Sequence, residues 1–238
     1  MPQSDTALFD QIRYALERQK VELGHGLTLD IEALGDLNQT IDQVFELLER
    51  EGRSEMLERL CPYFGVIWPS ALAVTCELAK LPGSALQGIS ILEFGCGLAL
   101  PSLFAATRGA RVIASDSHPE VPRFLERNRE LNPPQLGGSL EYRACDWMSP
   151  DSAPLGSFDR VIATDVLYER HYAAPVAGAL ARATRPGGTI WLADPGRPYL
   201  QSFADEMKAL GLHATTRILP TPPGAGVKEV FLLEFMRG

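Results

Sequence analysis

One stretch of this chain has the residue types and spacing for chemistry: Ile91-Leu-Glu-Phe-Gly-Cys-Gly-Leu-Ala-Leu-Pro101. An apolar run typical of a buried strand leads into two glycines, and a proline opens a helix just beyond. Glycines let a backbone approach a ligand closely, and a helix N-terminus offers free N–H donors at a positive dipole end. A dinucleotide-binding turn would continue Gly95-x-Gly97-x-x-Gly, yet position 100 is Leu. An acidic residue instead stands two positions before the first glycine, giving Glu93-x-Gly95-x-Gly97-x-Ala99. Further acids follow at expected strand ends: Asp116, 23 residues after Glu93, then Asp146 beside Trp147, then Asp165. A carboxylate such as Asp116 can accept both hydroxyls of a ribose, one such as Asp146 can accept from an adenine amino group, and Trp147 offers an apolar or stacking wall. Each acid taken singly reads equally well as a helix cap or a solvated loop residue. Four acids at the end where open α/β sheets bind ligands form a site.

The elements that must position these residues alternate from residue 70 onward. The pattern predicts helices over 70–81, from Pro101, and over 120–131, 171–184 and 200–210, with strands over 90–94, 111–115, 140–144, 160–164 and 189–193. Arg185-Pro-Gly-Gly reads as the turn between the fourth of these helices and the last strand, and a Pro/Ser/Gly loop precedes 160–164. Strands over 213–218 and 229–235 flank a Pro/Gly loop and form an antiparallel hairpin. Strands joined by crossover helices imply an α/β fold with a parallel sheet covered on both faces. Before it, apolar spacing predicts helices over 7–22 and 37–60, the second interrupted near Gly52, with room for a short strand at 27–31. The expected division is a helical N-terminal extension, 1–60, and a domain over 61–238.

The string around Gly95 resembles motif I of the class I S-adenosylmethionine-dependent methyltransferases, with Ala99 where a third glycine is usual. This resemblance implies S-adenosyl-L-methionine as cofactor and a Rossmann-like methyltransferase sheet, mostly parallel with a C-terminal antiparallel hairpin. The chemistry is coherent. That cofactor carries an ammonium and a sulfonium, beside which a carboxylate is useful, whereas a pyrophosphate would be repelled.

Two more strings narrow the resemblance. Pro62-Tyr-Phe-Gly-Val-Ile-Trp-Pro69 precedes the turn and Asp165-Val-Leu-Tyr168 follows the fourth strand. Together with the glycine turn they are similar to the family 16 methyltransferases, which include many protein-lysine methyltransferases and relatives named after nicotinamide N-methyltransferase. Asp194-Pro-Gly-Arg197 further resembles the branch that methylates the β-subunit of electron-transfer flavoprotein. The resemblance implies that Trp68 contacts the cofactor from the N-terminal side and that Gly95, Cys96 and Gly97 line its methionine end. It implies that Asp116 holds the ribose, Trp147 flanks the adenine and Thr164 lies near the methyl. Asp165 and Tyr168 then shape the acceptor channel as the catalytic pair. The bland reading of Trp68 is a core aromatic, and of Tyr168 a packing residue.

The implied reaction is an in-line displacement, to which a protein contributes mainly by proximity. A lysine amine, with an ordinary pKa of about 10.4, must reach its neutral form, which desolvation beside a cationic cofactor favours. A covalent role for Cys96 has no histidine partner nearby in sequence.

Composition limits the acceptor. Thirty acidic side chains against 22 basic ones leave a net charge of -8, and residues 1–60 hold 13 acids and 6 basic groups. Such a balance argues against wrapping a nucleic-acid backbone. Asp165-Val-Leu-Tyr168 also lacks both prolines of the Asp-Pro-Pro-Tyr string of adenine amino-methyltransferases. The resemblance to family 16 implies a protein substrate with a target lysine as the leading expectation, and the acidic N-terminal region would attract it. The alternatives are a small-molecule amine acceptor and a non-catalytic S-adenosylmethionine-binding module. The four cysteines, 61, 76, 96 and 145, form no Cys-x-x-Cys pair, and the four histidines are scattered, so no metal site is expected. Few cysteines, no basic-then-apolar leader pattern and no long apolar run point to a cytoplasmic protein without a membrane span.

Overall fold

The computed structural model describes residues 8–149 and 155–238. Among them, seven strands form one sheet: β3 (Ser90–Phe94), β4 (Arg111–Asp116), β5 (Ser139–Ala144), β6 (Phe158–Thr164), β7 (Thr184–Asp194), β8 (Thr215–Pro220) and β9 (Glu229–Met236). Their order is β5-β4-β3-β6-β7-β9-β8. The first five pair in parallel, while β9 runs antiparallel to both β7 and β8. This is the α/β sheet with a C-terminal antiparallel hairpin that the pattern implies.

Burial on both faces explains why the central strands read as unbroken apolar runs. Ile91 and Ile162 face the core that receives helices α3 (Pro69–Ala79), α4 (Leu100–Thr107) and α5 (Val121–Leu131). Leu92, Val161 and Ala163 face the opposite core, which receives α6 (Ala173–Ala183) and α7 (Leu200–Ala209). The period of two sends alternate residues to the two layers. The change of strand order beside β3 leaves a crevice at the carboxyl ends of β3 and β6, the usual ligand position in such sheets.

The N-terminal region contains the short strand expected at 27–31 but departs from the helix expected before it. Where a helix was expected over 7–22, β1 (Leu16–Gly24) and β2 (Leu27–Leu34) form an antiparallel hairpin. Val21 and Leu23 on β1, with Leu29, Ile31 and Ala33 on β2, face inward at a period of two, and Gly24 and Gly26 turn the chain at positive φ. The outer edge of β2 is paired by Asn128 on α5 and by Asn132 just past its end. Asn132 Oδ1 accepts the Asp30 N–H at 3.0 Å and Asn128 Oδ1 accepts the Glu32 N–H at 2.7 Å. Their amides donate back to the Asp30 and Glu32 carbonyls at 2.7 and 3.1 Å.

The second helical expectation holds in broken form. α1 (Leu37–Arg50) is capped by the Asp36 carboxylate, stops before Gly52, and is followed by the one-turn α2 (Leu57–Leu60). Leu8, Phe9 and Ile12 pack with Val44, Leu47, Leu48 and Leu60 in a third, smaller core. A second correction concerns Arg185-Pro-Gly-Gly. It is not a turn but the start of β7, irregularly paired where the register shifts between Phe158 and Arg160. The loop expected before β6 lies largely outside the described residues, as does the extreme N-terminus. Among the described residues no helix is long and apolar enough to cross a membrane.

Candidate functional site

The crevice is a cavity of about 340 Å³ between the glycine turn after β3 and the loop after β6. Trp68, Gly95, Cys96, Gly97, Asp116, Trp147, Thr164, Asp165 and Tyr168 all line it. Glu93 and Asp146 are not on its wall.

At one end the backbone itself forms the floor. Gly95 has φ +69°, and a Cβ there would stand 2.7 Å from Val166 Cγ1 and 3.2 Å from the Trp147 ring. Gly97 has φ +50°, and its Cβ would meet the Phe64 carbonyl at 3.1 Å. Both positions therefore need glycine, sterically as well as conformationally. Ala99, also left-handed at φ +58°, is fully buried at the N-terminus of α4. The Asp116 carboxylate accepts the Gly97 and His118 N–H groups at 3.0 Å each. Burial lifts its pKa and these backbone bonds oppose the rise.

Glu93 is fully buried behind the turn. One oxygen accepts the Ser102 N–H at 2.9 Å and the other has no partner among the described residues. Burial lifts this carboxyl to about 8. Asp146 closes its own loop by accepting the Met148 N–H at 2.8 Å. Burial pushes the Cys96 thiol up, which keeps it from acting as a thiolate.

At the other end the wall is aromatic. Tyr63 packs edge-on against Trp68 and Tyr168 at 6.1 and 5.9 Å between centroids, and the Trp68 indole donates to the Tyr63 carbonyl at 2.8 Å. Asp165 is 6% exposed and left-handed at φ +59°. Its Oδ2 accepts the Ser70 N–H at 2.9 Å, capping α3 from a distant element, and its Oδ1 meets Arg197 Nη1 at 2.8 Å. The same Arg197 nitrogen reaches Asp194 Oδ2 at 3.0 Å, so one guanidinium joins two carboxylates. Burial raises the Asp165 carboxyl, while Arg197 and the Ser70 N–H pull it down.

Sequence reasoning did not assign Tyr63, Phe64, His118, Arg197, Glu58 or Glu169 to the wall. Tyr63, Phe64 and Arg197 stood within quoted strings and were legible as neighbours of the site. Glu58 carried no such signal, since α2 reaches the cavity only through the fold. His118 Nε2 lies 3.2 Å from the Leu60 carbonyl and helps hold that helix against the post-β4 loop.

The family model for methyltransferase family 16, described as lysine methyltransferase, matches residues 62–203. The chain belongs to this family. Its members are S-adenosylmethionine-dependent methyltransferases, and this fold is their class I sheet. The histone-arginine methyltransferase METTL23 of Xenopus laevis is 33% identical over 54% of this chain and 58% of its own length. The calmodulin-lysine N-methyltransferase of Arabidopsis thaliana is 28% identical over 61% of this chain and 50% of its own. The chain thus spans little more than half the length of these relatives. A crystal structure of magnesium protoporphyrin IX methyltransferase from Synechocystis PCC 6803 with bound S-adenosylmethionine superposes with a TM-score of 0.56. It is 20% identical, over 71% of this chain and 78% of that one, and shows the likeness of the fold.

Proposed function

We propose that the protein is an N-methyltransferase that places a methyl group on a lysine side chain of a protein. One observation carries the reading: a single cavity joins the Gly95–Gly97 floor and Asp116 to an aromatic wall of Tyr63, Trp68 and Tyr168 edged by Glu58 and Glu169. The first end suits a nucleoside with a zwitterionic tail, and the second suits a long cationic side chain.

When bound, S-adenosylmethionine supplies a methyl on sulfonium sulfur for in-line displacement. Gly95, Cys96 and Gly97 are assigned to its methionine portion and Asp116 to the ribose hydroxyls, using lone pairs beyond those taken by Gly97 and His118. Trp147 flanks the adenine, and Asp146 orients the loop carrying it. Thr164 faces the methyl. Glu93 acts from behind, holding the start of α4 through Ser102. Trp68 contacts the cofactor from the N-terminal side and borders the acceptor wall, Tyr168 holds the acceptor stem, and proximity does most of the work. Asp165 takes part by fixing Trp68's helix and Arg197 rather than as a base. Residues 61–238 serve as the transferase unit, while 1–60 add α2 to the acceptor side and an exposed acidic face at Glu46, Glu49, Glu51 and Glu55.

Radiolabelled S-adenosylmethionine, incubated with the protein and a lysate lacking it, tests the reading. The expected product is a labelled protein that yields methyl-lysine on acid hydrolysis. Label confined to small molecules would establish a small-molecule acceptor instead, and methyl-arginine would redirect the site to guanidinium acceptors.

A further inference from the structure

A lysine reaches such a site as an ammonium and must lose a proton before its nitrogen attacks. Asp165, the nearest carboxylate by sequence motif, already accepts Ser70 and Arg197 on its two oxygens. The structure holds another route. Tyr168 lines the cavity and its hydroxyl is hydrogen-bonded to that of Tyr172, whose ring lies 4.9 Å away edge-on. Tyr172, 6% exposed, donates in turn to Glu58 Oε1 at 3.3 Å. Glu58 is 53% exposed in its side chain and also meets His171 Nε2 at 3.2 Å. The bond from Tyr172 to Glu58 points outward. A Tyr168 hydroxyl turned toward Tyr172 keeps oxygen lone pairs for a donor inside the cavity.

We propose that Tyr168, Tyr172 and Glu58 form a proton exit chain that deprotonates the acceptor ammonium. This rests on the lysine reading above. An ammonium N–H bond breaks as its proton passes to the Tyr168 oxygen. The Tyr168 hydroxyl proton moves to Tyr172, and the Tyr172 proton moves to the Glu58 carboxylate. The balance is one ammonium and one carboxylate giving one neutral amine and one carboxylic acid, which then loses its proton to water. Both tyrosines end as they began, neutral. Burial raises both phenols, so they pass protons along without ionising. The charged or titratable groups facing the chain are Asp116, Tyr63, Glu169 and His171. Glu58 lies outside the family match at 62–203, so the chain joins the N-terminal region to the chemistry.

The test follows transfer of label from S-adenosylmethionine to the purified acceptor protein between pH 7 and 10, for wild type, Tyr172→Phe and Glu58→Gln. At pH 7 both variants are expected to lose about 100-fold in kcat, the lower end of general acid–base effects, with S-adenosylmethionine affinity by calorimetry unchanged. Toward pH 10 the lysine approaches its own pKa of about 10.4 and supplies the neutral amine unaided, so the deficit shrinks. A deficit equal at every pH, a change confined to KM, or no deficit at all would overturn the chain. Glu58→Gln, at an exposed position, keeps the test decisive if Tyr172→Phe folds poorly. Absence of methyl-lysine in the wild-type reaction would remove the lysine reading and the chain with it. Methyl-lysine with parallel pH profiles would remove the chain alone.

Discussion

Asp165 and Arg197 meet at 2.8 Å in the wall of the cavity, and through Asp165 the same contact reaches the Ser70 N–H at the start of α3. The carboxylate that sequence motif places beside the acceptor thus clamps three segments: the end of β6, the turn after β7 and the helix that follows Trp68. Asp165→Ala is expected to cost about 2–4 kcal/mol of stability, because it uncaps α3 and leaves Arg197 with Asp194 alone. Asp165→Asn retains an acceptor for Ser70 and recovers part of the loss. Urea unfolding midpoints read both effects. A normal midpoint with abolished turnover would assign Asp165 to the acceptor directly.

Asp116→Ala is expected to weaken S-adenosylmethionine binding by about 1–3 kcal/mol, the worth of a lost charge-assisted hydrogen bond. Calorimetry on the folded variant measures it. Unchanged affinity would take the ribose away from Asp116.

Gly95→Ala forces a side chain into a position with φ +69° and a Cβ 2.7 Å from Val166. The loop must shift and push Trp147 off its seat. The expected result is altered tryptophan fluorescence together with at least about tenfold weaker cofactor binding, roughly 1.4 kcal/mol. Wild-type fluorescence and affinity would show the turn to be tolerant.

Glu93 makes stability depend on pH in an unusual direction. Its carboxyl lies at about 8 when folded, against an ordinary value of 4.5, so between those values the folded state holds a proton that the unfolded state has released. Stability therefore falls as pH rises from about 4.5 to 8. Glu93→Gln keeps an acceptor for Ser102 and is expected to flatten that fall, leaving it more stable than wild type at pH 8. Thermal melts across the interval check this, and identical slopes for the two proteins would contradict it.

Asn128→Ala removes both bonds to the Glu32 backbone, at an expected cost of about 2–3 kcal/mol. Amide exchange should accelerate in β1 and β2 before it does so in the central sheet. Uniform exchange would show that the hairpin does not depend on α5.

Much of this molecule was open to reading along the chain. The central sheet, its glycine turn and the acids at its strand ends depend on neighbours in sequence: apolar runs buried on both faces, glycines at positive φ, and a proline starting α4. Local chemistry dictates these, so Gly95, Gly97, Asp116 and Trp147, which line the cavity, stand out along the chain itself. The tertiary structure alone decided what crosses long sequence distances. Residues 7–22 carry a spacing compatible with a helix, yet 16–24 pair with β2, whose other edge is completed by Asn128 and Asn132, about a hundred residues away. Asp165 carries no mark of its partners Ser70 and Arg197, and Glu58 none of Tyr172. A carboxylate on a string of letters declares its charge. Which donor it meets depends on backbone brought together by burial of apolar surface elsewhere, and that decides between capping a helix, pairing a cation and receiving a proton.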